Sequence, residues 1–360
     1  MVRLMKLPIH NAPLETQPLL GVTQSDLEVL LEQWGEKKFR AKQIVEWIYL
    51  HQVASIEEMT NLSKSLREKL TGTFHLFESH VLTESIATDG TRKLLLSWSD
   101  GQTTECVLIP GDNRRTACIS TQVGCPVGCV FCASGLEGVK RNLNAGQIVE
   151  QVMRLKRLCE PEHRLSNVVF MGLGEPLANY DNTIAALRLI NGCVGIGARK
   201  ITVSTVGLPK QMRRLADEQL QFTLALSLHA PTDELRKQLI PWAEGVTIAE
   251  LTDAAQHYFE RTGREVTLEY VLLADVNDAP EHAKQVASIC RKMRANVNLI
   301  LYNPVPDLPY RRPTDAHARQ FLTTLKDNGV NAHLRPSRGL DIDSACGQLR
   351  RRNEQESQSG

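Results

Sequence analysis

Cys125, Cys129 and Cys132 stand in one short stretch, Cys125-Pro-Val-Gly-Cys129-Val-Phe-Cys132, at the spacing C-x3-C-x2-C. Iron–sulfur cubes and structural zinc sites are normally closed by four ligands. Three thiolates can hold three irons of a cube and leave the fourth iron open to a small molecule. Val130 and Phe131, between the ligands, would keep water off such a cluster and tune its potential. Gly124 and Gly128 let the loop wrap tightly, because glycine tolerates left-handed backbone. Spacing alone leaves two plainer readings open: a zinc knuckle closed by a distant histidine or cysteine, and buried inert cysteines.

Other residues able to do chemistry fall at the ends of apolar runs. Gly174-Glu175 follows the run 166–172 in a turn that glycine permits, placing a carboxylate where a cationic amino group can meet it. Ser204 can hold a carboxylate or a ribose oxygen, or serve as a plain cap. Ser227 and His229 share one side of a strand because strand side chains alternate, although a lone histidine there also suits a core. Asn303 precedes Pro304, and its amide suits a nucleobase edge or ribose as readily as a turn. Cys118 and Cys346 lie outside the triplet, and each alone reads as a small buried apolar side chain.

A scaffold must bring these positions together. From residue 115 the chain alternates strand and helix, with strands at 115–121, 166–172, 200–206, 222–229, 266–273, 296–302 and 330–335. The helices between them fall near 145–158, 180–191, 208–217, 248–261, 281–293 and 314–327. Such alternation implies an α/β fold of parallel strands with crossover helices, either doubly wound or a β/α barrel. Both architectures keep active sites just past the strand ends.

Upstream, residues 80–110 read as an antiparallel meander with turns at Asp89-Gly90 and Asp100-Gly101. Earlier still come three helices: one capped by Ser25 and running to Gln33, one from about Ala41 to His51, and one near Ser63 to Leu70. Lys37, Lys38, Arg40 and Lys42 cluster between the first two, as a solvated face or a phosphate-contacting surface. The expected organisation is an extension (1–22), a helical accessory domain (23–75), a β meander carrying Glu105 (76–112), an α/β domain (113–349) and a polar tail (350–360).

Bulk properties exclude little. An apolar fraction of 42% and a charged fraction of 23% are those of an ordinary globular chain. The net charge is +1, so any nucleic-acid affinity must come from local patches. No apolar run reaches membrane-span length and no secretory signal opens the sequence. Nine cysteines in such a chain point to a reducing cytoplasm and to metal or redox chemistry.

Seven segments, taken in order, resemble the RlmN/Cfr family of radical-SAM RNA methyltransferases. They are Phe39-Arg-Ala-Lys-Gln-Ile, Ala117-Cys118 through the cysteine triplet, Met171-Gly-Leu-Gly-Glu-Pro176, Ser204-Thr-Val-Gly207, Ser227-Leu-His-Ala-Pro231, Tyr302-Asn-Pro304 and Asp341-Ile-Asp-Ser-Ala-Cys-Gly-Gln-Leu349. The resemblance spans about residues 20 to 352; Ser344 replaces a usual alanine and Val206 a frequent serine. It implies a partial (β/α) barrel with an N-terminal helical module. A [4Fe–4S] cluster would sit on Cys125, Cys129 and Cys132, and two molecules of S-adenosylmethionine (SAM) would be used per turnover. SAM contacts would fall on Gly174, Glu175, Ser204, Ser227, Leu228, His229 and Asn303. Cys346 would carry the methyl group, Cys118 would form a transient disulfide with it, and Glu105 would be the general base. Cys106, Cys159, Cys193 and Cys290 match no motif and read as structural.

The implied substrates are adenosines of 23S rRNA and tRNA, methylated at carbon 2. That carbon is electron-poor and cannot attack the SAM methyl directly, which explains a radical route through a carrier. The implied enzyme is a cytoplasmic monomer served by an external electron donor such as flavodoxin. A Cfr-like methylase acting at carbon 8, a non-catalytic iron–sulfur RNA-binding protein and a zinc scaffold are the rival readings. Arg114, Arg115, Lys140, Arg141, Arg311, Arg312, Arg335, Arg338 and Arg350 to Arg352 could form an electropositive rim for RNA. RNA is read best where bases are unstacked, since turning one out costs a few kcal/mol.

Overall fold

The computed structural model describes residues 16–350 apart from residues 161 and 307. Most of the expected extension and the tail from residue 351 lie outside the described residues. The chain divides into two compact units, one ending at Glu78 and the other beginning at Ser79.

The first unit is helical. Helices α1 (Gln24–Gln33), α2 (Phe39–Tyr49) and α3 (Lys64–Thr73) bury Leu27, Leu31, Ile44, Ile48, Leu66 and Leu70 on stripes of i, i+4 spacing. Two short parallel strands, β1 (Gln17–Pro18) and β2 (Phe74–His75), close the unit. The cap of α1 is Thr23, not Ser25. Thr23 Oγ1 accepts from Asp26 N at 3.1 Å and the Asp26 carboxylate reaches back, a reciprocal capping box. Helix α2 starts two residues earlier than expected, so Phe39 and Arg40 form its first turn, the guanidinium lying 5.0 Å over the exposed phenyl ring.

The second unit is built on a ten-stranded sheet. Its antiparallel part is β3 (His80–Ile86), β4 (Arg92–Ser97) and β5 (Thr103–Gly111), which pairs with β6 (Arg114–Cys118). A small hairpin follows, β7 (Gln122–Gly124) with β8 (Val139–Asn142), and carries the cysteine triplet in its connection. Then come α4 (Ala145–Arg157), β9 (Leu165–Phe170), α5 (Tyr180–Leu189), β10 (Ile201–Thr205), α6 (Pro209–Asp217) and β11 (Thr223–Ser227). The chain ends with α7 (Asp233–Leu239), α8 (Ile248–Thr262), β12 (Val266–Leu272), α9 (Pro280–Met293), β13 (Ala295–Leu301), α10 (Asp315–Asp327) and β14 (Ala332–Arg335).

Strand order decides between the two expected architectures. From β6 the parallel strands run β9, β10, β11, β12, β13, β14 in sequence order, without the reversal that defines a doubly wound sheet. Right-handed crossovers that never reverse place every helix on one face. The other face is left to line a cavity, which is a partial barrel. Among the described residues no helix is long and apolar enough to cross a membrane.

Candidate active site

A cavity of about 560 Å³ opens at the C-terminal ends of the parallel strands. Its wall collects Cys118, the three cysteines of the triplet, Gly174, Glu175, Ser204, Ser227, His229, Asn303 and Cys346. Of the expected catalytic, SAM-contacting and cluster residues, Glu105 and Leu228 do not line it.

The triplet loop is fixed from both sides. Gly124 adopts φ +78°, and a Cβ there would lie 2.0 Å from the Gly138 carbonyl oxygen, so only glycine fits. Cys125 N donates to Gly138 O at 3.2 Å and Val130 N donates to Leu239 O at 3.1 Å. Val127, Phe131, Val206, Leu239, Ile240 and Tyr302 form an apolar wall against which the three cysteines pack. Burial pushes the Cys125 thiol up to about 12 and raises those of Cys129 and Cys132, and the Cys129 thiol feels both neighbours. Thiols held this way are poor anions alone and good ligands once a cation is present.

An all-sulfur donor set suits iron–sulfur clusters or zinc. Among the described residues no three His, Cys, Asp or Glu side chains converge as ligands of one ion do. A cube takes each thiolate on a separate iron, so its ligands need not converge. The loop therefore fits a three-cysteine cluster, with the rest of the cavity open beside it.

Strand ends supply the next layer. Glu175 is 3% exposed and ties its own loop to the end of β10, since Oε1 accepts from Leu177 N at 3.0 Å and Oε2 from Val206 N at 2.8 Å. Burial raises its carboxyl to about 7, against backbone donors that pull it down. Gly174 has φ +104°, and a Cβ would meet Gln122 and Thr121 at 2.8 Å. Ser204 and Ser227 face each other at 3.5 Å across β10 and β11. His229 Nδ1 accepts from Val271 N at 3.1 Å, which leaves Nε2 as the protonated nitrogen. Burial, then the Arg236 charge, lowers this imidazole to about 3, so it is a neutral donor at physiological pH. Leu228 is fully buried, and its N–H donates to Glu269 O at 3.1 Å.

The Cys346 loop is laced to the triplet loop. Ala133 N donates to Gly347 O at 2.8 Å and Ser134 Oγ to Leu349 O at 2.7 Å. Asn303 Nδ2 donates to Cys346 O at 3.0 Å while Asn303 Oδ1 accepts from Ser337 at 2.7 Å. Cys346 exposes surface, but that surface lines the cavity, and the surrounding protein still raises its thiol. Cys118 is buried in the same wall and feels the Cys346 charge; all nine cysteines are free thiols in this structure. Arg335 lines the same cavity, donates to Glu269 Oε2 at 3.3 Å and draws both thiols toward their anions.

Glu105 is held apart. It is 1% exposed, and its Oε1 lies 3.0 Å from Lys93 Nζ while Oε2 accepts from Arg350 N at 3.0 Å. Sequence reasoning missed Lys93, Glu269 and Arg236. A charge inside an apolar strand run, as in Leu268-Glu269-Tyr270, was the available signal for the strand residues; Arg236 had none. Of the expected basic rim, Arg115, Arg141, Arg311, Arg335 and Arg338 are ion-paired. Arg114, Arg335 and Arg338 line the cavity. Arg351 and Arg352 lie outside the described residues.

Known proteins match over almost the whole chain. Residues 17–76 match the ribosomal RNA large subunit methyltransferase N-terminal domain, and residues 119–286 the radical SAM superfamily. A probable dual-specificity RNA methyltransferase RlmN of Thermosynechococcus vestitus is 46% identical over 332 residues, covering 92% of this chain and 98% of that one. The chain belongs to the RlmN family. An RlmN-family relative from Bacillus anthracis is 45% identical, with 92% of each chain covered. The crystal structure of a radical SAM methyltransferase from Sphaerobacter thermophilus superposes with a TM-score of 0.90 at 42% identity, covering 92% of this chain and 99% of that one. RlmN membership brings with it the [4Fe–4S] cluster and SAM of the radical SAM superfamily.

Proposed function

We propose that this protein methylates carbon 2 of adenosine in RNA, at adenosine 2503 of 23S rRNA and adenosine 37 of tRNA, with Cys346 as methyl carrier. The observation that carries the reading is the lacing of the Cys346 loop to the cysteine-triplet loop in a cavity that also holds Cys118. Such bonds hold a carrier sulfur at a fixed place beside the cluster site, as a transfer between two bound molecules requires.

The cluster on Cys125, Cys129 and Cys132 supplies, when bound, the single electron that makes SAM a radical source. The protein's own groups do the rest. Cys346, deprotonated with help from Arg335, takes a methyl from one SAM by displacement. Gly174, Glu175, Ser204, Ser227, His229 and Asn303 hold SAM from the cavity wall, with His229 Nε2–H as a neutral donor, and Leu228, buried behind the wall, fixes Ser227 and His229 on either side of it. The apolar wall of Val127, Phe131 and Tyr302 excludes water from reactive carbon. After the methyl carbon has lost a hydrogen atom to the SAM-derived radical, bonded to the adenine ring and given up one electron, Glu105 takes the ring proton, which requires its ion pair with Lys93, outside the cavity wall, to open toward the base. Cys118 then attacks the Cys346 sulfur: an S–S bond forms as the C–S bond breaks, the C–S electron pair takes up the proton that Cys118 gives up and so completes the methyl group, and the methylated base leaves. Two SAM are used per cycle, an external donor such as flavodoxin supplies electrons, and the enzyme works as a monomer.

The test follows methyl groups on protein. Incubation with SAM should add one methyl mass to the peptide bearing Cys346, and Cys346→Ala should yield no methylated RNA. Methylated adenosine from the alanine variant would exclude the carrier.

A further inference from the structure

Arg236 is 1% exposed, an unusual state for a guanidinium. It sits on α7 one turn before Leu239, with which it shares a helix face, and Ile240 caps the helix in extended backbone. Leu239 and Ile240 pack on Val127, Phe131 and the cysteines of the triplet, and Leu239 O accepts from Val130 N. The face that bears Arg236 is thus the face applied to the triplet loop. Arg236 Nη2 donates to Val206 O. Its Nε and Nη1 are buried and have no partner among the described residues, and no other described residue leaves two such nitrogens. The nearby charges are the Cys129 thiol and Asp233. Burial lowers the guanidinium to about 10, so it remains a cation at neutral pH. A buried cation with two idle donors is costly unless something anionic completes it.

We infer that Arg236 tunes the iron–sulfur site: its free Nε–H and Nη1–H donate to sulfur at Cys129 and hold positive charge beside the bound cluster. The inference rests on reading the triplet as a cluster loop. Hydrogen bonds to sulfur and local net charge set the reduction potential of such clusters. One-electron reduction makes the cluster more negative, so a fixed cation favours the reduced form and raises the potential. A role of this kind is separate from holding SAM.

The test compares wild type with Arg236→Gln, Arg236→Met and Arg236→Lys, each loaded anaerobically with iron and sulfide. Dithionite titration with mediators, followed by electron paramagnetic resonance without SAM or RNA, gives the midpoint. Iron per chain and the melting temperature of the metal-free chains are measured beside it. The two neutral variants should bind iron as wild type does yet disfavour reduction at least about tenfold, a midpoint about 59 mV lower for one electron. Arg236→Lys, which keeps the charge but loses the planar fork, should recover part of the shift. Methionine needs no hydrogen bond, so it guards against a glutamine variant that does not hold its cluster. A wild-type midpoint in either neutral variant, with only the melting temperature lowered, reduces Arg236 to a brace for Val206 and overturns the inference. Wild type that takes up no iron on its three cysteines would sink the cluster reading instead.

Discussion

At Cys118, burial pushes the thiol up to about 12, the Cys346 charge adds to that, and the Arg335 guanidinium opposes both. A thiol so placed is quiet until its partner sulfur carries a leaving carbon, which fits action late in the cycle. Cys118→Ala is therefore expected to load Cys346 with methyl normally and then accumulate RNA joined covalently to the protein. A denaturing gel, with mass spectrometry of the nuclease-trimmed Cys346 peptide, reads this; free product at normal rates would remove Cys118 from the mechanism. His229 yields a pH prediction. Its folded value, about 3, lies below the ordinary 6.5, so the stability it contributes is present above pH 6.5 and lost as pH falls toward 3. Between pH 6.5 and 4.5 that is roughly 2–3 kcal/mol, which His229→Gln should remove from the pH profile of chemical unfolding. An unchanged slope in the variant would contradict the buried neutral imidazole. Glu105→Gln leaves Lys93 buried without its anion and is expected to cost about 3–5 kcal/mol in the same assay. A loss under 1 kcal/mol would mean the ion pair adds little.

At the scale of elements, the loops at the strand ends hold the chemistry, and hydrogen bonds between loops hold the loops. Asn303→Ala removes the donor to Cys346 O and is expected to slow methyl loading of Cys346 by roughly tenfold to a hundredfold. Iron content should stay at the wild-type level, and loading at the normal rate would show that the tether is dispensable. The parallel strands and their helices were legible because buried strands read as short apolar runs and helices show their own period. The β7–β8 hairpin was not, since three residues at Gln122–Gly124 carry no pattern. Helix α7 was also hidden, being seven residues directly after His-Ala-Pro-Thr. The N-cap of α1 moved from Ser25 to Thr23 because a capping box depends on which side chain finds Asp26, a choice that composition does not make. Among site residues, motif positions were visible, whereas the partners of Glu105, Glu175 and Cys346 come from distant segments. Lys93, Val206 and Asn303 meet them only in the folded chain.

For the whole molecule, the pairing of the ten-stranded sheet does not involve the cluster loop. Replacing Cys125, Cys129 or Cys132 by alanine should abolish iron uptake and visible absorbance while far-ultraviolet dichroism stays unchanged. A variant that kept its iron would refute the ligand assignment. With a net charge of +1, RNA affinity must come from the cavity rim and other local groups, and should fall steeply with salt. The central claim is methylation of adenosine at carbon 2 through Cys346. It is tested most directly by mass spectrometry of nucleosides from 23S rRNA and tRNA treated with the reduced, iron-loaded enzyme and SAM. The account predicts 2-methyladenosine from wild type and none from Cys346→Ala. 8-Methyladenosine, or unmodified adenosine from a fully iron-loaded and reduced protein, would contradict it.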